Sequence, residues 1–429
     1  MESIANIPEV EGKERVVIIG GGFAGLELAK KLNTKFYQVV LIDKNNYYQF
    51  QPLLYQVATA GLEPSSISYP HRKMFQKKSV HFRMCKALNV NSQEKIVETS
   101  IGAIGYDYLV IATGCDTNYF GNDKLKESTF ALKSVSEALL LRNRILLSFE
   151  QALSAKSDDE LEEILSFVIV GGGATGVELA GALADMRKQI LPRDYPEVDF
   201  DKMQIHLIDA SPRLLAGMSE EASAVAADTL QKRGVVIHQD VAVEKIEEPY
   251  VYINNGVKIR SRNMFWVAGI KPNSLAGLAE DAYQRGRLLV NEYNQVKGYG
   301  DIFCIGDTSL SISEKTPKGH AQVAQVSLQM AKRLAQNLNN KKKGVKAEKF
   351  EYIDKGSLAT IGKNAAVADL GKFKIGGIAA WWLWLFIHIF TIVGMRNKAA
   401  VFIDWAWSYF NYDVSLRLLI RPEKHKMYE

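Results

Sequence analysis

Cysteine is scarce in this sequence, since its 429 residues include only Cys85, Cys115 and Cys304. The three lie far apart, and no pair has the C-x-x-C spacing of a zinc site or a redox motif. We therefore expect neither a disulfide framework nor a bound metal, and the composition favours a reducing compartment.

An excess of charge is also lacking. The 53 Lys and Arg residues and 48 Asp and Glu residues give a net charge of +5. This is too small to predict nucleic-acid binding, although it would favour an anionic lipid surface. The first 20 residues contain acids and lack the apolar h-region of a signal peptide, so we expect no signal peptide. With 47% apolar and 24% charged residues, the chain should form two or three globular domains.

What the sequence does contain is a glycine motif between an apolar run and a helix-forming stretch, "VVIIGGGFAGLELAKKL". Gly20, Gly22 and Gly25 have the G-x-G-x-x-G spacing of a dinucleotide-binding turn, here called the first turn. In such a turn the glycines allow a tight bend, a close approach to a pyrophosphate, and helix–strand packing. Asp43 ends the next apolar run, where a carboxylate can bind ribose hydroxyls.

The same arrangement occurs again in "FVIVGGGATGVELAGALADM", here called the second turn, with Gly171, Gly173 and Gly176. Asp209 follows Gly176 by 33 residues, longer than the usual interval of about 20. Two dinucleotide sites indicate transfer between two cofactors, most simply a flavin and a nicotinamide. Asp209 would repel a 2′-phosphate and so favours NADH over NADPH, although Arg213 weakens that inference.

The chain resembles the type II NADH dehydrogenases, which are single-chain NADH:quinone oxidoreductases that pump no protons. The resemblance runs from Arg15 to Arg421, and its most specific segments are "FQPLLYQVATAG" and "WAWSYFNYDVSLRLL". It implies an α/β fold with two Rossmann-like dinucleotide-binding domains and a C-terminal membrane-associated helical segment. The implied segments are an FAD-binding domain at 1–120 and 296–345, an inserted NADH-binding domain at 121–295, and a quinone-access and membrane-anchoring region at 346–429.

The resemblance also implies roles for individual residues. FAD would be held non-covalently at the first turn, and NADH would bind at the second. The further cofactor-binding residues implied are Ala112, Thr113, Gly114, Asp307, Ala324 and Gly269. The catalytic residues implied are Glu178, Lys363, Gln325 and Gln329. We further hypothesise that Glu178 and Lys363 form a pair that links the NADH and quinone sites.

Without the resemblance, three of these residues have simpler interpretations. Asp307 could be a turn aspartate, and Gln325 and Gln329 could be a surface pair one helical turn apart. Glu178 could be an acid at a helix start, where a carboxylate suits the helix dipole.

The resemblance implies an enzyme that passes two electrons from NADH through FAD to a membrane quinone. One alternative is a related flavin oxidoreductase, such as a sulfide:quinone oxidoreductase or a ferredoxin reductase. Residues 44–84 contain no cysteine, which argues against a disulfide reductase, and Cys115 and Cys304 are interpreted as small apolar filler. A second alternative is a membrane-docked flavoprotein that senses nucleotides.

Formal charge is absent from residues 377–394, "GIAAWWLWLFIHIFTIVG". This run is at the lower limit of a membrane span, for which about 20 residues are needed. Its tryptophans and His388, and the mixed polarity of residues 399–421, favour helices lying on the bilayer. A dimer interface or a domain core would also explain the run. We expect a monotopic homodimer on the cytoplasmic side of a bacterial inner membrane.

Overall fold

The computed structural model describes residues 7–314, 316–411 and 416–420. The chain divides into two compact units. The first unit comprises Met1–Tyr48, Tyr69–Asp116 and Ile270–Asp354. The second unit comprises Gln49–Ser68, Thr117–Gly269 and Lys355–Glu429.

The first unit is built on a five-stranded parallel sheet, as its continuous apolar runs predict. In sheet order the strands are Ile302–Cys304, Tyr108–Ile111, Glu14–Ile19, Tyr37–Asp43 and Val80–Met84. Ile18 pairs with Val110 on one side and with Leu41 on the other. Both neighbours and Ile18 itself are fully buried, so this row forms the centre of the core.

Two helices of the first unit pack against each other, Phe23–Lys31 and Ala324–Lys341. The first starts directly after Gly22 and carries Lys30 and Lys31 in its last turn, where positive charge suits the helix dipole. Smaller sheets complete the unit: Ala87–Asn91 with Ile96–Thr99 and Gly102–Gly105, and Tyr283–Gln284 with Arg287–Val290 and Ser309–Ser311.

The second unit repeats this plan with its own five-stranded parallel sheet. In sheet order its strands are Phe130–Ala131, Asn263–Trp266, Ser166–Val170, Gln204–Ile208 and Val235–His238. The surrounding helices include Leu54–Ala58, Val135–Ala152, Asp158–Leu165, Ala174–Gln189 and Glu220–Lys232. A small antiparallel sheet consists of Val243–Glu247, Tyr250–Ile253 and Lys258–Arg260.

The C-terminal part of the second unit is an antiparallel sheet followed by two helices. The strands are Ser357–Gly362, Ala365–Leu370 and Phe373–Gly376. The helices are Gly377–Thr391, here called the first tail helix, and Met395–Asn411, the second tail helix. Residues 412–415 and 421 of the predicted interfacial segment, and residues 422–429 beyond it, lie outside the described residues. No helix in the part of the chain that the structure describes has both the length and the apolarity that crossing a bilayer requires.

The compact units and the four functional segments implied by the resemblance have different borders. Residues 49–68 belong to the second unit, and residues 270–295 belong to the first. The functional assignment of the four segments stays a prediction.

We predict that Gly181→Ala destabilises the protein. A Cβ at this position in the helix Ala174–Gln189 would lie 2.4 Å from the carbonyl oxygen of Ile361. The helix and the strand would have to separate, which should lower the free energy of unfolding by about 1–3 kcal/mol. This exceeds the gain of about 1 kcal/mol in helix propensity. Gly217→Ala is the control, because a Cβ there meets nothing within 4 Å. Equal unfolding midpoints for the two variants in urea would contradict this packing.

Candidate functional site

The backbone of the first turn leaves no room for a side chain at two of its three glycines. Gly20 has φ +103°, and a Cβ there would lie 2.2 Å from the carbonyl oxygen of Ala112. A Cβ on Gly25 would lie 1.8 Å from the carbonyl oxygen of Gly20. These two glycines therefore form the tight bend and the close helix–strand contact that the motif predicts.

The middle glycine differs, since a Cβ on Gly22 would meet nothing within 4 Å. Gly22 caps the helix Phe23–Lys31, which has no side-chain cap and no acid in its first turn. Unpaired backbone amides at the positive end of a helix suit a pyrophosphate. The residues of the first turn thus fit a dinucleotide cofactor.

Asp43 lies directly beside this turn, as the sequence predicts. Its Oδ2 accepts a hydrogen bond from the Gly21 amide at 2.6 Å, and its Oδ1 accepts one from the Asn45 amide at 2.7 Å. His71 packs beneath Gly21 and is fully buried. No sequence pattern points to His71, because its contact with the turn is set by tertiary packing.

The second turn has the same geometry. Gly171 has φ +120°, and its Cβ would lie 2.8 Å from the Ala268 amide nitrogen. A Cβ on Gly176 would lie 1.8 Å from the carbonyl oxygen of Gly171, whereas one on Gly173 would meet nothing within 4 Å. Gly269 follows Ala268 with φ +70°, so it lies next to this turn.

Asp209 accepts hydrogen bonds from the amides of Gly172 and Ser211, which matches Asp43 in the first unit. The long interval before it contains the helix Leu191–Asp194 and a 3₁₀ turn. Arg213 is held within its own loop, where its guanidinium donates to Met218, Ser219, Ala216 and Ser223.

In the first unit, the residues after the strand Tyr108–Ile111 lie beside the first turn. The Ala112 amide donates to the Ile19 carbonyl at 2.8 Å. The Thr113 hydroxyl donates to the Asn273 carbonyl at 2.7 Å, and the Thr308 hydroxyl donates to the Gly114 carbonyl at 2.9 Å. These bonds fix the Ala112–Gly114 segment at the carboxyl edge of the sheet, where ligands bind in this type of fold.

Asp307 lies in the 3₁₀ turn Gly306–Thr308, just after the strand Ile302–Cys304. The Cys115 thiol donates to Asp307 Oδ2 at 3.0 Å, and Gln322 donates to the Asp307 carbonyl at 2.9 Å. The interpretation of Cys115 as mere apolar filler was therefore wrong, because its thiol orients this carboxylate. Cys304 is fully buried.

The helix Ala324–Lys341 begins at Ala324, with Gln325 in its first turn. The side-chain amide of Gln329 donates to the Ile353 carbonyl at 2.8 Å and accepts from the Ile353 amide at 3.0 Å. The Gln329 amide therefore binds the backbone of Ile353, and the implied contact of Gln329 with a quinone stays a prediction.

Glu178 is the fifth residue of the helix Ala174–Gln189, one turn beyond its start. The interpretation as a helix-start acid was therefore wrong. The side chain is only 8% exposed. Burial raises the pKa of Glu178 to about 8, although a hydrogen bond from the Thr360 amide opposes the shift. Near neutral pH this carboxyl group therefore retains its proton.

Lys363 does not form the hypothesised direct pair with Glu178. Its ammonium group donates to the Tyr409 carbonyl at 2.8 Å and lies over the Tyr409 ring. Its backbone amide donates to Asp185 Oδ2 at 2.6 Å. Burial lowers the pKa of Lys363, and Asp185 opposes that shift. The lysine thus connects the end of the strand Ser357–Gly362 to the second tail helix.

Two glycine turns, each with a carboxylate at the end of the next strand, define a flavoprotein oxidoreductase with two dinucleotide-binding domains. Accordingly, residues 14–331 match the family model described as pyridine nucleotide-disulphide oxidoreductase. Residues 355–411 match the model of the NDH2 C-terminal domain. The chain belongs to the type II NADH:quinone oxidoreductases.

Among its relatives, the type II NADH:quinone oxidoreductase Ndh of Mycobacterium tuberculosis is 32% identical over 93% of this chain and 89% of that protein. The Staphylococcus aureus type II NADH:quinone oxidoreductase is 28% identical over 86% of this chain and 92% of that protein. NDH2 from Plasmodium falciparum, solved in complex with NADH, has a TM-score of 0.88 at 22% identity, covering 95% of this chain and 100% of that one. A sulfide:quinone oxidoreductase from Aquifex aeolicus has a TM-score of 0.73 at 21% identity, covering 95% and 96%. These structural matches show the fold.

The raised pKa of Glu178 predicts a pH-dependent effect of Glu178→Gln on stability. The folded chain binds the proton more tightly than the unfolded chain, so the wild type loses stability as pH rises from about 4.5 to about 8. The neutral glutamine lacks this loss. The difference in free energy of unfolding between the variant and the wild type should therefore shift in favour of the variant across that range, by on the order of a few kcal/mol. The exposed Glu162→Gln is the control in thermal unfolding at several pH values. Parallel pH curves for both variants would argue against a buried proton.

Proposed function

We propose that this chain transfers two electrons from NADH through non-covalently bound FAD to a membrane quinone, without pumping protons. The observation that carries the proposal is the doubled turn, with an open middle glycine and a strand-end carboxylate in each unit. Two dinucleotide sites on one chain suit transfer between two cofactors. The names of the relatives, which specify NADH and quinone, support the same reaction.

We assign FAD to the first turn and NADH to the second. Gly22 and the amides that follow it would hold the FAD pyrophosphate, and Asp43 would bind the ribose. Asp307 and the segment Ala112–Gly114 lie at the same sheet edge and would contact the flavin. Bound FAD would supply a carrier that accepts electron pairs from NADH and releases them to a quinone. Asp209 would disfavour the 2′-phosphate of NADPH.

The chain's own residues would position the substrates and supply protons. Glu178, protonated near neutral pH, can hold a proton needed for quinone reduction. Ala324 and Gln325, at the amino end of their helix, would lie at the flavin, where a positive helix end suits negative charge. Gln329 would have to exchange its bonds to Ile353 in order to contact a quinone. Lys363 is proposed beside the quinone head group.

Thiol chemistry is less well supported as the second candidate. Cys85, Cys115 and Cys304 are all buried. Burial raises the pKa of the Cys85 and Cys304 thiols, which disfavours the reactive thiolate. A sulfide:quinone oxidoreductase working through cysteines would need an accessible thiolate, and these thiols do not provide one.

We propose that the tail helices lie on a lipid bilayer. They present aromatic side chains that are each more than half exposed: Trp382, Phe386, Phe390, Phe402 and Phe410. Trp382, Phe386 and Phe390 recur every four residues and so share one helix face. Aromatic side chains suit the membrane interface, and a quinone dissolves in the same lipid. The homodimer and the cytoplasmic side of a bacterial inner membrane stay predictions.

A direct test uses the whole protein purified in detergent. NADH added without oxygen should bleach the flavin absorbance, and a soluble quinone added afterwards should restore it. Proteoliposomes containing a trapped pH dye should show NADH oxidation without proton translocation. Tight NADH binding without quinone turnover would instead support a nucleotide sensor, and a protein that cannot be reconstituted with FAD would refute the proposal.

The open space at the middle glycines predicts variants that separate the two sites. Gly173→Ala should leave the fold and the flavin content unchanged, because its Cβ meets no protein atom within 4 Å. It should weaken NADH binding at least about tenfold, equivalent to about 1.4 kcal/mol, by blocking the approach of the pyrophosphate. Gly22→Ala should instead lower the flavin-to-protein ratio. Flavin loss in Gly173→Ala with unchanged NADH affinity would reverse the assignment of the cofactors.

The exposed aromatic stripe predicts a membrane-binding variant. Phe386→Gln with Phe390→Gln should weaken binding to lipid vesicles by at least about tenfold, because each buried Phe contributes about 1.5–3 kcal/mol. The control is Leu140→Gln with Leu153→Gln, which alters two exposed apolar residues, one in the helix Val135–Ala152 and one directly after it. Vesicle flotation measures the bound fraction. Equal binding by both double variants would contradict docking through the tail helices.

A further inference from the structure

A chain of side-chain hydrogen bonds leads from the second tail helix to Thr360, on the strand that packs against the helix of Glu178. Trp405 Nε1 donates to Gln56 Oε1 at 2.7 Å, and Gln56 Nε2 donates to the Tyr55 hydroxyl at 2.8 Å. The Tyr55 hydroxyl lies 3.1 Å from Thr360 Oγ1. The strand of Thr360 packs against the helix that carries Glu178, since a Cβ on Gly181 of that helix would lie 2.4 Å from the Ile361 carbonyl oxygen. All of these residues belong to the second unit.

The direction of this chain follows from the chemistry of its members. An indole N–H can only donate, so Gln56 must present its carbonyl oxygen to Trp405. The amide NH₂ of Gln56 therefore faces the Tyr55 hydroxyl, which accepts. The hydroxyl proton of Tyr55 is then left to donate, and Thr360 Oγ1 is within its reach. Each donor in this chain therefore points away from the second tail helix and toward Thr360.

Burial strengthens the electrostatic effect of these oriented groups. Tyr55, Thr360 and Glu178 are each less than one-tenth exposed, so their dipoles act in a medium of low polarity. Burial raises the pKa of Tyr55, and the negative charge of Glu178 raises it further. The phenol therefore lies close enough to interact electrostatically with the carboxylate.

We propose that Trp405 is a positioning residue that, through Gln56, sets the orientation of the buried Tyr55 hydroxyl beside the helix of Glu178, so that the second tail helix influences the protonation of the buried acid. The proposal rests on the proposed function, because only quinone reduction gives this proton a use. The other titratable groups around the chain are Asp185, Arg233, Lys363, His388, Glu63 and Asp404. The substitutions below leave all of them in place.

Trp405→Phe tests the proposal, because it removes the N–H and keeps an aromatic ring. Oriented donors favour the carboxylate form, so their loss should move the pH profile of quinone reduction upward by about half a pH unit. Tyr55→Phe should move it upward by about one unit. Adding Trp405→Phe to Tyr55→Phe should cause no further shift, since both act through one chain. Trp407→Phe, an exposed tryptophan on the same helix, is the matched control and should cause no shift.

An infrared titration gives a readout that needs no turnover. The carboxyl band that Glu178→Gln abolishes is followed against pH in each variant, and it should titrate at higher pH in Trp405→Phe. A band that titrates as in the wild type would overturn the proposal, even if quinone reduction proceeds. If the wild type fails to reduce any quinone, the proposed function fails, while the infrared titration still decides the role of Trp405.

Gln56→Met provides a second variant if Trp405→Phe does not retain its flavin. Methionine keeps the length of the side chain, but its sulfur accepts only weakly from Trp405 and it has no N–H to donate to Tyr55. The carboxyl band should shift to higher pH in Gln56→Met, as in Trp405→Phe. Gln56→Asn keeps an amide on a shorter side chain, so its band should titrate between those of Gln56→Met and the wild type. An unshifted titration in Gln56→Met would overturn the proposal.

Discussion

The packing of the helix Ala174–Gln189 on the strand Ser357–Gly362 is the contact on which the second unit's chemistry depends. Residues 178, 181 and 185 share one face of this helix, and each meets the strand or the residue that follows it. The meeting pairs are Glu178 with Thr360, Gly181 with Ile361, and Asp185 with Lys363. Glycine at the middle position allows the approach that removes water from the carboxyl group above it. Burial of the acid is thus a result of backbone proximity.

The same helix begins at Gly173, the open position of the second turn. One rigid element therefore connects a dinucleotide-binding turn, a buried proton and the C-terminal sheet. That sheet continues into the tail helices, and Lys363 binds a carbonyl of the second. The first unit has an equivalent turn but no such extension, since its helix Phe23–Lys31 packs on Ala324–Lys341.

The sequence predicted what is encoded locally. The positions of Gly20, Gly25 and Asp43 follow from a turn whose steric requirements are contained within one strand–turn–helix unit. Predictions from the sequence were wrong for contacts between residues far apart in the chain. They were also wrong where the role of a residue depends on the exact residue at which a helix begins. Glu178 was one helical turn from its interpreted place, because the helix starts at Ala174. The pairing of Glu178 with Lys363 was wrong, because register between a helix and a distant strand leaves no trace in spacing. For the same reason, Tyr55 appeared only as part of a family-specific segment.

The segment Gln49–Ser68 is made early in synthesis, yet its partners in the second unit come near the end of the chain. Tyr55 and Thr360 are 305 residues apart, and Gln56 and Trp405 are 349 apart. Such non-local contacts form late, after more local structure has closed most of the intervening loops. On the ribosome, this segment must therefore wait for nearly the whole polypeptide to emerge before its buried hydroxyl and amide find their partners. A truncated product lacking the tail helices would keep the Thr360 partner of Tyr55 but would leave the Gln56 carbonyl oxygen without Trp405.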